Sequence, residues 1–316
     1  MEVFFMKKLR GALALLLCLA ALPSAALAWG GEGPTGENTA PVAENQELTT
    51  YRGVSVGGCL RAFDADGDDV SFEIVTEPMK GEVELSPDGT FVYTPAAGKR
   101  GRDYFGFRAV DSEGNASQEG TVIIRLQKQK TRLTYADMAG DPNEYAAVML
   151  TERGVFTGAT LGADAVFDPE ATVSRGEFLV LCMNAAGSEV LGGVQSTGFA
   201  DDAAIPGWQK PYVATALMNG FVSGELSEDG APVFRPNDPV SLRDACVLLN
   251  AVLGVTDVVS AGSFGEDGAE EPAAQAVANL DAAGVMLSRW EGLDGSVTRA
   301  QAAELLGNAM ELLSRR

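Results

Sequence analysis

Two arginines stand where a helix would ordinarily disfavour them. Arg175 follows Ser174 in the stretch Val173-Ser174-Arg175-Gly176-Glu177, and Arg299 follows Thr298 in Val297-Thr298-Arg299-Ala300-Gln301; a further copy, Val240-Ser241-Leu242-Arg243-Asp244, lies between them. Each copy sets Ser or Thr three residues ahead of an acidic or amide side chain and then runs into apolar residues. That is the pattern of a capping box, so three helices are expected to start here. The Val before each cap is placed to staple against Phe178, Ala245 or Ala302, four residues into its helix. At the first helical position the macrodipole disfavours a cation by about 0.3–1 kcal/mol. A guanidinium beside the unpaired N–H groups of a helix start makes a cradle for a carboxylate or phosphate. The alternative is that Arg175 and Arg299 pair with acids in a very acidic chain.

An oxygen-rich turn is the second candidate. Asp64, Asp66, Asp68 and Asp69 surround Gly67, a set that suits Ca²⁺, although no glutamate follows at the spacing an EF-hand loop needs. Asp103 and Asp111 would complete a shell if strands bring them near. The candidate ligand set is Asp64, Asp66, Asp69 and Asp111, with a solvated acidic turn as the alternative. Histidine is absent from the chain, which removes His-based triads and the usual zinc sites. No carboxylate pair stands in a recognisable catalytic setting. The expectation is a non-catalytic protein that requires no cofactor, with Ca²⁺ as the ion its turns would accept.

The elements that must position these residues fall into two blocks. With 316 residues, 46% of them hydrophobic, the chain is long enough for about two domains with buried cores. Its formal charge is −21; residues 1–28 hold three bases (Lys7, Lys8, Arg10) and one acid (Glu2), so the chain without them stands at −23. That argues against nucleic acid or an anionic membrane as a broad electrostatic partner. Lys7, Lys8 and Arg10, the apolar run from Ala12 to Leu22 and the small-x-small Ala26-Leu27-Ala28 read as a signal peptide over residues 1–28, hence an exported protein. The run is too short to span a bilayer comfortably, and no later segment approaches the ~20 residues needed. No membrane span is expected after cleavage. Cys59, Cys182 and Cys246 then remain, an odd number, so at least one thiol should be free. Cys182 and Cys246 lie inside apolar helical patterns and read as small buried hydrophobes.

Residues 29–40 are small and polar with turn formers throughout, and read as a flexible leader. From 41 to 126 short β-rich runs alternate at period two between Gly, Asp and Pro: residues 70–75, 82–85, 90–93, 104–110 and 121–124. The spacing suggests an antiparallel sandwich, with Pro87-Asp88-Gly89 as a hairpin turn. The segments Asn38-Thr-Ala-Pro-Val42, Asp64-Ala-Asp-Gly-Asp-Asp69, Ser86-Pro-Asp-Gly-Thr-Phe-Val-Tyr-Thr-Pro95 and Asp103-Tyr-Phe-Gly-Phe-Arg-Ala-Val-Asp111 together resemble the cadherin-like or VCBS-like repeats of bacterial surface proteins. The resemblance implies an immunoglobulin-type sandwich used as a spacer or adhesion module. Residues 127–134 are polar and without periodicity, and read as a linker.

The remainder repeats. Residues 135–190 run Tyr135-Ala-Asp137, Tyr145 with a helical pattern through Leu150, Gly154-Val-Phe-Thr-Gly158, Phe167-Asp-Pro169 and the box at Ser174. Residues 198–256 keep that order with Phe199-Ala-Asp201, Trp208, Gly220-Phe-Val-Ser-Gly224, Phe234-Arg-Pro236 and the box at Ser241. Residues 262–316 are degenerate, with Phe264-Gly-Glu266, Gly284-Val-Met-Leu-Ser288 and the box at Thr298, but neither the aromatic nor the Phe-x-Pro. No unit is large enough to bury its own apolar face, so the three should share a core. The ordered set resembles the surface-layer homology (SLH) family, whose fold is a three-pronged, mainly helical spindle that binds secondary cell-wall polysaccharide, often pyruvylated, between neighbouring repeats. The resemblance implies that Arg175 and Arg299 hold the pyruvyl carboxylate. It implies that Asp137, Asp201 and backbone groups hold sugar hydroxyls, that Trp208 and Tyr145 are the motif aromatics, and that Gly158 and Gly224 are turn glycines. Leu242 stands where the second repeat should carry its arginine, and Arg243, one step on, is turned about 100° away, so three working grooves are not expected.

The chain therefore reads as multidomain: an all-β immunoglobulin-like sandwich followed by a mainly α-helical three-repeat SLH spindle. The expected function is non-covalent anchoring at the bacterial cell wall or S-layer surface, through secondary cell-wall polysaccharide or a peptidoglycan-linked glycan. The alternative is a calcium-dependent adhesion module whose repeats act structurally.

Overall fold

The computed structural model describes residues 38–161, 164–256, 272–286 and 292–315. The expected signal peptide, most of the leader, and Phe264, Glu266 and Ser288 lie outside them. A β-sandwich region is followed by a helical part, and Thr39–Arg316 makes one compact unit. Among the described residues no helix is long and apolar enough to cross a membrane.

Nine strands build the sandwich region: β1 (Val42–Ala43), β2 (Gln46–Tyr51), β3 (Val56–Cys59), β4 (Ala62–Phe63), β5 (Ser71–Thr76), β6 (Gly81–Leu85), β7 (Thr90–Pro95), β8 (Gly101–Val110) and β9 (Gly120–Gln127). A four-stranded sheet, β2-β9-β8-β5, and a three-stranded sheet, β3-β7-β6, enclose Phe91, Tyr93, Phe105, Phe107, Val122 and Ile124, all at most 1% exposed. The period-two pattern is plain in β9, where Val122, Ile124 and Leu126 are buried while Arg125 and Gln127 face solvent. The sandwich departs from the antiparallel expectation at one place. β2 runs parallel to β9, from Gln46 opposite Val122 to Tyr51 opposite Gln127. These two strands are joined by the body of the domain rather than by a hairpin, so a parallel pairing is open to them.

Among the described residues that follow are six α-helices and two small hairpins, with a short 3-10 helix at Asp202–Ala204: α1 (Glu144–Glu152), β10 (Ala159–Leu161), β11 (Asp164–Val166), α2 (Arg175–Ala185), α3 (Lys210–Met218), β12 (Glu225–Leu226), β13 (Pro232–Val233), α4 (Leu242–Leu253), α5 (Pro272–Ala282) and α6 (Arg299–Arg315). α2, α4 and α6 start at the three boxes. The valines ahead of the caps form a closed ring of backbone hydrogen bonds. Val173 N–H donates to the Val297 carbonyl (3.0 Å), Val297 N–H to Val240 (2.9 Å) and Val240 N–H to Val173 (3.0 Å). All three are buried in one core shared by the repeats.

The first amides of each helix are passed to another repeat. Arg175 and Gly176 N–H donate to Asp238 and Pro236, Leu242 and Arg243 N–H to Gly295 and Leu293, and Arg299 and Ala300 N–H to Ala171 and Pro169, all within 2.8–3.0 Å. The third amide goes to the cap hydroxyl, Glu177 to Ser174, Asp244 to Ser241 and Gln301 to Thr298.

Cys182 and Cys246 are free thiols. Cys182 and Cys246 are buried in the helical core, and burial pushes the Cys246 thiol up to about 12.

The residues expected to act as a linker are pinned: Thr131 N–H and hydroxyl both donate to Glu152 (2.6 Å each). The sandwich also meets α1 directly. Gly57 N–H donates to the Pro142 carbonyl (2.7 Å), Tyr145 N–H to the Ser55 carbonyl (3.1 Å), and Glu144, 6% exposed, accepts from the N–H groups of Ser55 (3.0 Å) and Gly140 (3.3 Å).

Burial pushes the Glu144 carboxyl above its ordinary 4.5, against the pull of those amides. A raised pKa in the fold means that the protonated form stabilises. The contribution is complete below pH 4.5 and is lost as pH rises through the folded value. Glu144→Gln keeps the acceptor and is expected to raise the thermal midpoint at pH 7 by about 2–4 °C, with the gain vanishing below pH 4.5. Melting curves of both proteins across pH check this; a gain independent of pH would place its origin elsewhere.

Candidate functional site

The helical repeats build two grooves on the same plan. In the first two repeats the opening aspartate braces the corner made by Phe-x-Pro. Asp137 accepts from the N–H groups of Phe167 (2.9 Å) and Asp168 (2.7 Å), and Asp201 from those of Phe234 (2.9 Å) and Arg235 (2.7 Å). The middle residue of each corner is left-handed, Asp168 at φ 61° and Arg235 at φ 57°, a conformation that costs a non-glycine residue about 1–2 kcal/mol. Burial raises the Asp137 pKa, but the Phe167 and Asp168 amides and the Arg299 charge outweigh it and hold the carboxyl below its ordinary range. A Cβ at Gly158 would lie 2.5 Å from the ring of Tyr135, and one at Gly224 2.5 Å from the ring of Phe199. These glycines are where the opening aromatic of each repeat presses on its own turn.

The first groove encloses about 650 Å³ between Thr157-Gly158-Ala159, Phe167, Val173, α2, Trp208 and Arg299. Arg299 comes from the third repeat and lies on the wall of the first. Its Nε donates to the Phe167 carbonyl (2.7 Å) and an Nη to the Thr157 carbonyl (3.1 Å). Its guanidinium carbon is 4.7 Å from the ring centre of Phe167 and 5.1 Å from that of Phe156, within cation–π range. Among the described residues Arg299 makes no ion pair. Trp208, 58% exposed, edges the groove. Glu177 is on the wall too, but its carboxylate reaches back to the cap, accepting from Ser174 N–H (3.1 Å) and hydroxyl (2.9 Å).

The second groove is smaller, about 240 Å³, and Arg175 lines it with Phe234, Gly224 and Val240. Here the guanidinium has found acids, Asp244 at 3.0 Å and Glu225 at 3.4 Å, and Glu225 also pairs with Arg235 (3.2 Å). Where a third groove would need a cation, Leu242 is 1% exposed in the core, while Arg243 turns to Asp294 (3.2 Å).

The structure thus brings Arg299, Trp208 and Gly158 together in one groove and puts Arg175 and Gly224 in the other. Asp137 and Asp201 spend their carboxylates on backbone amides. Tyr145 lies apart from both grooves, half-buried at the junction with the sandwich, its ring 5.2 Å from that of Tyr51. The helix-start cradle foreseen for an anion is closed, because the first three amides of α2, α4 and α6 already have acceptors. Two residues that decide the second groove, Glu225 and Asp244, were not singled out from sequence. A signal existed for Asp244, which replaces the glutamate or glutamine of the other boxes.

In the sandwich, oxygens of Asp64, Asp68 and Asp111 lie within 4.8 Å of one another. Asp64 Oδ1 accepts from the N–H groups of Asp66 (2.9 Å), Gly67 (3.1 Å) and Asp68 (3.3 Å), and its Oδ2 is buried without a hydrogen-bond partner. An all-oxygen set with one orphaned carboxylate oxygen fits a hard cation. The converging set differs from the expected one: Asp68 replaces Asp69, and Asp66 is bound instead to Thr39 (2.6 Å). Asp103 is buried and committed to Met79, Lys80 and Tyr93.

Residues 38–128 match the model of the bacterial cadherin-like domain. No surface-layer homology domain is detected alongside it. The chain is 26% identical over 126 residues, 40% of its length, to the surface-layer 125 kDa protein of Lysinibacillus sphaericus, and it spans about a tenth of that relative. Among solved structures, a SusE-like surface-located polysaccharide-binding protein from Bacteroides thetaiotaomicron is 16% identical with a TM-score of 0.23, covering 30% of this chain and 16% of that one. The fibronectin(III)-like modules of CbhA from Clostridium thermocellum are 21% identical with a TM-score of 0.21, covering 28% and 47%. A putative α-galactosidase from Bacteroides fragilis scores 0.23 at 9% identity, covering 28% and 17%. Scores of this size carry no functional argument.

Removing the brace tests the build of the first groove. Asp137→Ala strands the amides of Phe167 and Asp168 and is expected to cost about 1–3 kcal/mol in urea denaturation; a loss below about 0.5 kcal/mol would mean that the corner holds without it.

Proposed function

We propose that this chain is an exported, non-catalytic cell-envelope protein held non-covalently to an anionic secondary wall polysaccharide through its helical repeats, with the cadherin-like sandwich carried as a spacer or adhesion module. The observation that carries the reading is Arg299. It is a cation without an ion pair among the described residues, fixed by two carbonyls over two aromatic rings, in an open groove edged by an exposed tryptophan. A carboxylate on a sugar, such as a pyruvate ketal, would pair with the guanidinium, and the apolar face of the ring would lie on Trp208. The order of motifs along the repeats supports a surface-layer homology spindle, and the surface-layer relative agrees with a place at the cell surface.

The test is co-sedimentation of the chain from residue 29 onward with purified cell-wall sacculi, before and after chemical removal of the non-peptidoglycan polymer. Binding is expected to the first and not to the second, and Arg299→Ala is expected to weaken it at least about tenfold, the size of one charge-assisted contact. Full retention of a folded Arg299→Ala protein would sink the assignment.

A second reading rests on the orphaned Asp64 oxygen. Asp64, Asp68 and Asp111 would hold Ca²⁺ and stiffen the sandwich for adhesion. Calcium is then expected to give a calorimetric signal and to raise the melting temperature in the wild type but not in Asp64→Asn. Neither heat nor a shift with calcium would remove this reading.

A further inference from the structure

The two grooves share one plan, but only one presents an unneutralised cation among the described residues. Three positions account for the difference. After the turn glycine the first groove has Ala159 and the second has Glu225. At the middle of the Phe-x-Pro corner the first has Asp168 and the second Arg235, and Arg235 holds Glu225 in place at 3.2 Å. At the third position of the helix the first has Glu177 and the second Asp244.

The last exchange is the decisive one. Glu177 and Gln301 are long enough to reach back and accept from the N–H of their own caps, at 3.1 and 2.9 Å. Asp244 is one methylene shorter. Its own N–H still donates to the Ser241 hydroxyl (3.1 Å), but its carboxylate is turned to Arg175 (3.0 Å). A change that looks conservative within a cap therefore frees an anion and delivers it to the guanidinium across the groove. The Arg175 side chain is left 17% exposed, with Asp244 (3.0 Å) and Glu225 (3.4 Å) both on its Nη1. An external carboxylate would have to compete with both for one charge, in a cavity of about 240 Å³ against about 650 Å³.

We propose that Asp244 and Glu225 act as a built-in anionic plug of the second groove, so that each chain takes up one acidic sugar residue, in the Arg299 groove. The inference deepens the wall-binding reading and rests on it. The plug makes Asp244 and Glu225 determinants of valency: a chain with both grooves open would bind a repetitive polymer at two points, and this one grips it at one.

The experiment transplants two of the three first-groove residues, those at the plug positions, into the second groove. The wild type and the double variant Glu225→Ala, Asp244→Glu are titrated calorimetrically with a disaccharide carrying a pyruvate ketal. One site is expected in the wild type and two in the variant, and adding Arg299→Ala should leave the variant with one. A companion measurement needs no ligand. Modification by phenylglyoxal, followed residue by residue by mass spectrometry, should be slow at Arg175 in the wild type and faster in the variant, with Arg299 unchanged between them. Matching melting curves establish that the variant is folded. Two sites in the wild type, one site in a folded double variant, or equal modification of Arg175 in both proteins would each overturn the plug. No heat in either protein, with Arg175 still unmasked in the variant, would overturn the wall-polysaccharide reading while leaving the plug standing.

Discussion

Three backbone hydrogen bonds between three valines hold the helical part in register. Val173, Val240 and Val297 each donate to one of the others and accept from the third. A linear stack of repeats is stabilised by neighbour contacts, and an end repeat can be lost without breaking the others. A ring has no end repeat. Valine suits the position because the chain must be extended as it approaches each cap, and a β-branched side chain favours that backbone while filling the core. The same geometry explains why the degenerate third repeat keeps its box. It has lost the aromatic and the Phe-x-Pro, but Val297 is one third of the ring, and Arg299 two residues on belongs to the wall of the first repeat.

The ring also decides what chemistry the helix starts can do. An open helix terminus offers unpaired N–H groups to an anion. Here the first two amides of each helix are given to a different repeat and the third to the cap hydroxyl, so the termini serve as structural joints. Under the proposed function, recognition falls to the side chain at the first helical position. In the first groove the guanidinium uses two of its five N–H donors on the carbonyls of Phe167 and Thr157. Those bonds fix its plane over the rings and leave the other donors for a ligand, which lowers the ordering cost of binding. In the second groove the charge of the same residue type at the same helix position is countered by Asp244 and Glu225, both on its Nη1. Position alone does not make a site; the neighbours decide whether the charge is available.

Much of this was legible in the sequence, and the exceptions have physical causes. The caps, the strands from β5 to β9 and the paired helices follow from local patterns that tertiary structure had no reason to override. β2 and β3 were missed because one reads Gln-Glu-Leu-Thr-Thr-Tyr and the other Val-Gly-Gly-Cys, neither of which alternates. Gly58 is there to make room for the Phe91 ring, which the chain does not announce. The role of Asp137 was out of reach because its partners, Phe167 and Asp168, are thirty residues away and offer backbone rather than side chains. Tyr145 was grouped with Trp208 by its place in the repeat. The first repeat, however, has a neighbour the second lacks, and the sandwich covers Tyr145 while Trp208 remains in the open. In the acidic turn, which carboxylates converge depended on Thr39 drawing Asp66 aside.

A chain at −23 without residues 1–28 is an unpromising host for an acidic ligand; for the ligand proposed above, the first groove would resolve the conflict locally. Charges further apart than a Debye length, about 8–10 Å at physiological salt, are largely screened. Most of the negative surface therefore slows the approach of an anion more than it weakens the bound state. Within that distance the balance is local. Glu177 is tied to its cap, Asp137 to the backbone of the corner, and Arg299 lies over two aromatic faces. Glu177 and Asp137 thus serve as hydrogen-bond acceptors for the main chain, so the carboxylates that brace the groove do not compete for its arginine. In the second groove a side chain shorter by one methylene undoes that arrangement, and the local balance goes to the protein's own acids.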